Sequence, residues 1–295
     1  MSRYCGNHDS EPIIRAAEHW CKQALKSDGS VFSERALWRL DHLEAIEQYY
    51  VNQIDESDRT FLEKLKEQLT PTTPETKELV AEMLWVMLLC PSNITAEKKR
   101  EDIALVWSWS GQVLSDDLPW LSTQTLNGIG SAGQSYSYNR WRELTFFVRF
   151  MLAFKRLDPS ERDRLLQDGW AFAEWLRVIP EEGSRQLRHM ILFLLFPDQF
   201  ERSFAGTDRR QIVISFAGKS KADVDSLSPV EIDRELLQIR RTQEEKYGTK
   251  ELDYYVPPLK ELWARSGFEQ FTKDIKREHV LKALEEIDQI GRAHV

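Results

Sequence analysis

The sequence predicts an all-α protein, and three observations carry that prediction. Helix-start signals recur from one end of the chain to the other. Between them, apolar residues return at the three-to-four-residue spacing of a helix face. Only one segment, Gln211–Ala217, has the β-branched look of a strand, and its Asp208-Arg-Arg lead-in suits a helix N-terminus as well, so it is assigned to helix. About a dozen helices are expected. No internal repeat of helix-pair length is present, which predicts an irregular multi-helix domain and not a regular solenoid.

Taken in order, Leu37, Leu40, Ile46 and Tyr49 mark the first apolar face, and Leu62, Leu65 and Leu69 the second. Thr72-Thr73-Pro74-Glu75 starts a third helix, with a capping hydroxyl before a proline whose missing N–H costs nothing in the first turn. Its apolar face is Leu79, Met83, Val86 and Leu89. A loop-rich stretch follows near Ser115–Tyr138. Region 140–164 mixes seven basic with four acidic residues and reads as a helix surface laced with ion pairs. Asp158-Pro159-Ser160-Glu161 and Ser228-Pro229-Val230-Glu231 repeat the start logic, each with Glu three residues after the cap. Leu236, Ile239 and Tyr247 form another face, and the loop Gly248–Pro258 leads into Leu259–Trp263.

These features place a helical domain at 1–265 and the first helix of a following domain at 266–289. The last six residues, Ile290–Val295, resemble the translation of a sequencing-library adapter. The natural reading frame is therefore expected to continue past Gln289.

Composition narrows the classes of function. With 41% hydrophobic and 30% charged residues, ten Trp and 14 Phe, the chain has the balance and bulk of a globular protein. The net charge of −8 advertises no polyanion binder as a whole, although a local basic surface is compatible with it. Cys5, Cys21 and Cys90 are odd in number and widely spaced, which predicts free thiols and neither a disulfide framework nor a zinc site. The start lacks a signal-peptide pattern, and the longest apolar runs, Met83–Cys90 and Met190–Phe196, fall well short of the ~20 residues that span a bilayer. A cytoplasmic protein with no membrane partner is expected.

Candidate chemistry is sparse. Gly128-Ile-Gly130-Ser-Ala-Gly133 matches GxGxxG, but LPWLSTQTLN precedes it where a dinucleotide loop needs a strand. A glycine-dependent loop between helices is the better reading. Pro197-Asp198 followed by Glu244-Glu245-Lys246 has the residue types of a Mg²⁺-dependent nuclease, and turn-capping by Asp198 is the simpler alternative. No HExxH, GxSxG or GxxxxGK[ST] occurs, so no intact phosphate loop lies within these residues. His189 is expected to pack in the core. Within 207–222, Arg209, Arg210, Lys219 and Lys221 face a single acid, Asp208, and are the candidate contacts to DNA or to an acidic partner.

Several stretches taken together carry a family resemblance. They are Trp20, Asp28-Gly-Ser-Val-Phe32, Trp38, Phe61–Leu69, Glu78–Leu84, Gly128–Tyr136, Leu194-Leu-Phe196-Pro197-Asp198-Gln-Phe200-Glu201-Arg202, Ile239–Gly248, Asp253-Tyr254-Tyr255-Val-Pro257-Pro258-Leu259 and Trp263. In this order, over some 240 residues, they resemble the helical N-terminal region of McrB-type AAA+ ATPases of modification-dependent restriction systems. The resemblance implies a region that recognises DNA or regulates assembly ahead of an NTP-hydrolysing motor. ATP or GTP with Mg²⁺ is then expected only in that motor, which is absent here, along with an oligomeric ring and a McrC-like nuclease subunit. Glu278–Asp288 resembles the opening of a further domain of related restriction proteins. No catalytic, cofactor or metal residues are assigned to this chain. A stand-alone helical interaction scaffold of a defence operon is the alternative.

Overall fold

The computed structural model describes residues 3–264 except 5, 7, 54 and 56. Among them are fifteen α-helices and no strand; the bridges Gly29 to Ala36 and Pro91 to Gly130 stand alone. The chain divides after Asp253 into two units, 1–253 and 254–295.

In the first unit, α1 (Glu11–Trp20) and α2 (Leu40–Ile46) each continue into a π-helical turn, Cys21–Leu25 and Glu47–Val51. Then come α3 (Phe61–Gln68), α4 (Pro74–Leu89), α5 (Ala96–Ser108), α6 (Thr123–Leu126), α7 (Gln134–Tyr138) and α8 (Arg140–Lys155). The order continues with α9 (Pro159–Gln167), α10 (Gly169–Trp175), α11 (Gln186–Leu195), α12 (Gly206–Ala217), α13 (Lys221–Asp225) and α14 (Pro229–Tyr247). The stretch 115–138 holds more helix than expected, in α6, α7 and a 3₁₀ turn at Pro119–Leu121. The strand-like Gln211–Ala217 is the body of α12.

Local capping explains many of the boundaries. Thr73 accepts a hydrogen bond from Thr76 N and starts α4, while Ser228 and Glu231 form a full capping box on α14. Asp158 departs from expectation: its side chain makes no cap bond, and Glu161 is taken by Arg164 at 2.7 and 2.8 Å. Asp168, at the start of α10, makes the cap instead, accepting from Trp170 N and Ala171 N.

The core forms around α4, α8 and α11. Helix α4 is buried from Leu79 through Leu89 without a solvent face, so the apolar stripe read from its sequence is only part of what it buries. Helix α8 contributes Phe146, Phe147, Phe150 and Phe154. Phe150 and Phe154 join Phe172 and Trp175 of α10 at ring separations of 5.7–6.1 Å, mostly edge-on or tilted, the favoured quadrupolar arrangement.

Buried charges tie this apolar frame to its loops. Glu82 of α4 is wholly buried and accepts from Ser30 Oγ, Val31 N (3.0 Å), Phe32 N (3.3 Å) and Trp38 Nε1 (2.6 Å), which pins the Asp28–Phe32 loop onto the helix. Arg188 of α11 lies 2.6 Å from Glu182 and 2.9 Å from Asp233 of α14. Arg240 Nη1 of α14 is 3.5 Å from Glu201 and donates to Leu252 O at 3.0 Å, and Arg202 meets Asp253 at 2.5 Å. His189 is buried as expected, and its pKa falls well below the usual imidazole value because of burial and the neighbouring Arg209 and Arg188.

The Phe196–Arg202 motif closes α11 and packs into the core. Pro197 does not open a helix: α11 ends at Leu195, Phe196 leaves the helical region at φ −136°, and residues 197–199 form a turn. A proline disfavours helical backbone in the residue before it, which accounts for the break. Phe200 is buried against Trp170 at 4.9 Å, and Phe196 packs on Phe172 at 5.5 Å.

In the second unit, residues 254–264 are described. Pro257-Pro258 is a cis pair before α15 (Leu259–Trp263). Trp263 Nε1 donates to Tyr254 O at 2.6 Å, and the Tyr255 ring meets Trp263 edge-on at 5.5 Å. The helix expected at 266–289 and the tail 290–295 lie outside the described residues. Among the described residues, no helix is long and apolar enough to cross a membrane.

Candidate functional site

The basic cluster read from 207–222 does not come together as one open surface. Arg209 leaves the expected contact set: only 2% exposed, it donates to Ser203 O at 2.8 Å and pairs with Asp233. Its position at the start of α12 turns it inward, where the Asp233 carboxylate compensates the buried charge. The other three remain at the surface but are matched by local acids. Arg210 lies 3.9 Å and Lys221 2.8 Å from Asp225, and Lys219 lies 3.0 Å from Glu235. A polyanion would have to displace these carboxylates.

The nuclease-like residues are also engaged separately. Asp198 accepts a two-pronged contact from Arg3 at 2.7 and 2.8 Å, and Glu244 pairs with Arg240 at 2.9 Å. Among the described residues no group of three or more His, Cys, Asp or Glu is placed to hold a metal ion. The glycine loop serves chain packing. Gly128 and Gly133 have φ of 74° and 75°, Ile129 N donates to Cys90 O at 2.9 Å, and a four-residue helix precedes the loop where a dinucleotide fold needs a strand.

A different surface has the chemistry that 207–222 lacks. It lies where α7 passes into α8, beside the Glu47–Val51 turn and the Pro180–Glu181 loop. Tyr138 is 82% exposed and Trp141 is 42% exposed. The Arg142 guanidinium sits 5.0 Å over the Trp141 ring. Arg142 and Arg149 have no ion pair among the described residues, whereas Arg140, Lys155 and Arg156 are paired with Asp102, Asp28 and Glu44. Within α8 the spacing 142, 145, 149 follows one helical face, and Tyr138 closes α7 just before it.

The surrounding structure holds this surface in place. Tyr50 Oη donates to the backbone carbonyl of Trp141 at 3.0 Å, and burial pushes the Tyr50 phenol far above its ordinary range. Tyr136 Oη donates to Met87 O at 2.8 Å and fastens α7 to α4. Glu143 is buried one residue beyond Arg142 and accepts from Leu187 N at 2.9 Å, so α8 is tied to the first turn of α11. Burial raises the Glu143 pKa, and that amide together with Arg185 opposes the rise. Glu181, the one non-glycine residue with positive φ (64°) among the described residues, projects beside Arg185 at 3.9 Å. A cavity of about 170 Å³ lies between these parts, lined by Trp141, Arg142, Thr145, Arg149, Pro180 and Glu181 among others.

A region of seven basic and four acidic residues reads as a surface laced with ion pairs, and the sequence alone does not show which of its cations stay outside those pairs. The signal in the sequence is the clustering of Tyr138, Trp141 and Arg142 within five residues, aromatic and cationic groups without an acid among them. Comparison with protein-family models, with curated proteins and with solved structures finds no match.

Proposed function

We propose that this chain is a recognition region that acts by binding, and that it holds nucleic acid on the Tyr138–Trp141–Arg142–Arg149 surface for a downstream motor. The observation that carries the reading is that Arg142 and Arg149 of α8, without an ion pair among the described residues, lie beside the exposed rings of Trp141 on α8 and Tyr138 at the end of α7. Guanidinium groups without internal partners are free to neutralise phosphates, and exposed rings give bases a stacking surface. The ordered resemblance to the N-terminal region of McrB-like AAA+ ATPases supports the same placement. In that setting the chain is a cytoplasmic part of an oligomeric restriction ATPase, working with a McrC-like nuclease subunit, and ATP or GTP with Mg²⁺ belongs to the motor.

Fluorescence anisotropy of labelled oligonucleotides, repeated across a salt series, tests this. Replacing both Arg142 and Arg149 by Ala should weaken binding at least tenfold and lower the slope of log K against log salt by about 1.4–1.8, because each phosphate contact releases ~0.7–0.9 counterion when it forms. Lys219→Ala with Lys221→Ala should leave both quantities nearly unchanged. Affinity that ignores salt, or survives the double arginine change, would defeat the reading in favour of a protein-binding scaffold.

A further inference from the structure

We propose that the groove around Trp120 is a docking site for an extended, arginine-bearing segment of a partner protein. It has no lining residue in common with the α8 surface, so it goes beyond the nucleic-acid reading and does not depend on it.

The groove is built around the 3₁₀ turn Pro119–Leu121. Three cavities of about 270, 490 and 510 Å³ meet there and share lining residues. Trp120 borders the first two, and Pro119 borders the last two. At ~30 Å³ per water molecule, even the smallest has the room of about nine waters, more than one small ion fills. Pro12 and Pro119 add apolar rings that bring no N–H, so this part of the lining offers contact area without a donor.

Trp120 is held ready. Its carbonyl accepts from Trp85 Nε1 at 2.8 Å, and the Leu121 carbonyl accepts from Arg100 Nε and Nη2 at 3.0 and 2.8 Å. His19 of α1 stacks on the indole with ring centroids 4.3 Å apart. Burial lowers the His19 pKa, so at neutral pH that imidazole is uncharged and the indole is not already serving a cation. A partner therefore meets a plate whose ordering is already complete.

Charge decides what the partner is. Asp9, Glu34, Asp116 and Asp117 line the cavities, are exposed and have no ion pair among the described residues. Arg15 and Arg35, which also line them, are matched by Glu11 and Glu78, and Arg100 is turned to Leu121. Unmatched carboxylates beside an indole repel phosphate and attract a cation. Arginine fits better than lysine, because its planar guanidinium stacks on the ring and forks onto a carboxylate while its stem packs on the prolines. The acids are spread over all three cavities, with Asp9 in one, Glu34 in another and Asp116 and Asp117 in the third. One bound cation would leave most of them unmatched, which points to a chain carrying several arginines.

The test is fluorescence anisotropy of the full chain with a labelled nonapeptide of alternating arginine and proline, beside versions with lysine or glutamate in place of arginine. The arginine peptide should bind about threefold more tightly than the lysine one, and the glutamate peptide should not bind. Trp120→Ala should weaken arginine-peptide binding roughly tenfold, with Trp120→Phe recovering part of the loss, and should leave oligonucleotide binding unchanged. Asp9→Asn with Asp117→Asn alters exposed side chains alone and should cost about fivefold. Asp163→Asn with Glu245→Gln removes the same charge elsewhere on the surface and should cost much less. These two pairs carry the decision if Trp120→Ala shifts the unfolding midpoint. Equal losses in both pairs, or equal affinity for the lysine and arginine peptides, would overturn the proposal. Free arginine binding as tightly as the peptide would give the groove to a small ligand, and a dimer that Trp120→Ala dissolves would give it to a second copy of this chain. Either result would overturn the proposal as well.

Discussion

Glu82 brings the energetics of this fold down to one side chain. Its carboxylate is completely buried, and burial raises its pKa to about 7, against the opposing pull of Ser30, Val31, Trp38 and Phe32 as donors. Between its ordinary value of 4.5 and about 7, the folded chain keeps a proton that the unfolded chain has released. This group's contribution to stability is therefore greatest at acid pH, declines as pH rises through that window, and is level above it. His189 works in the opposite sense, since its lowered pKa makes stability fall as pH drops below the ordinary imidazole value. The total curve mixes both effects, so the informative quantity is a difference. Urea unfolding of the parent and Glu82→Gln between pH 4.5 and 8 should show the parent losing ground relative to the variant as pH rises to 7. A pH-independent difference would mean that Glu82 stays ionised in the fold, held by its four donors.

At the scale of elements, close approach decides where glycine is required. A Cβ on Gly128 would lie 2.3 Å from the carbonyl oxygen of Pro91, and φ there is 74°. Gly218 has a similar φ of 64° with open space around it. Gly218→Ala should therefore report the backbone term alone, about 1 kcal/mol, while Gly128→Ala should cost at least ~2–3 kcal/mol more in thermal or urea unfolding. Equal losses would show that the Pro91 contact yields easily. The same contrast between local and distant causes explains what could be read in advance. Thr73 and Ser228 cap their helices as expected because a cap involves residues three positions apart. Asp158 does not: Glu161 N donates to its backbone carbonyl at 3.0 Å, and the Glu161 carboxylate, the other arm of a capping box, is taken by Arg164. The surface on α8 stayed hidden for a related reason. Which cations are neutralised depends on Asp102, Asp28 and Glu44, which are 38, 127 and 112 positions from their partners. Arg209 turns inward for the same reason, since Asp233 sits 24 positions further on. Helix content is set locally and was legible, whereas charge pairing is set by the packing.

Across the first unit, one buried network joins four segments that the apolar core does not fix by itself. Arg188 of α11 contacts Glu182 of the turn after Pro180 and Asp233 of α14, and Asp233 also receives Arg209 of α12. Removing the central carboxylate takes one acid from two buried guanidinium groups at once, leaving Arg188 with Glu182 and Arg209 with the Ser203 carbonyl, which is more damaging than never having buried the charges. Asp233→Ala is therefore expected to destabilise the fold by ~3–5 kcal/mol. Replacing Asp233 by Leu together with Arg188→Met, Arg209→Met and Glu182→Gln, so that no acid of the network is left buried without Arg188, should recover much of that loss. The network also reaches the proposed binding surface, because Glu182 adjoins Glu181 in the cavity wall. If the charges hold that wall in place, the quadruple variant should refold to near-parental stability yet bind oligonucleotides less well, with faster hydrogen exchange confined to 180–187. If binding and exchange there match the parent once stability is restored, the network serves folding alone, and the wall is set by Glu143 and the first turn of α11.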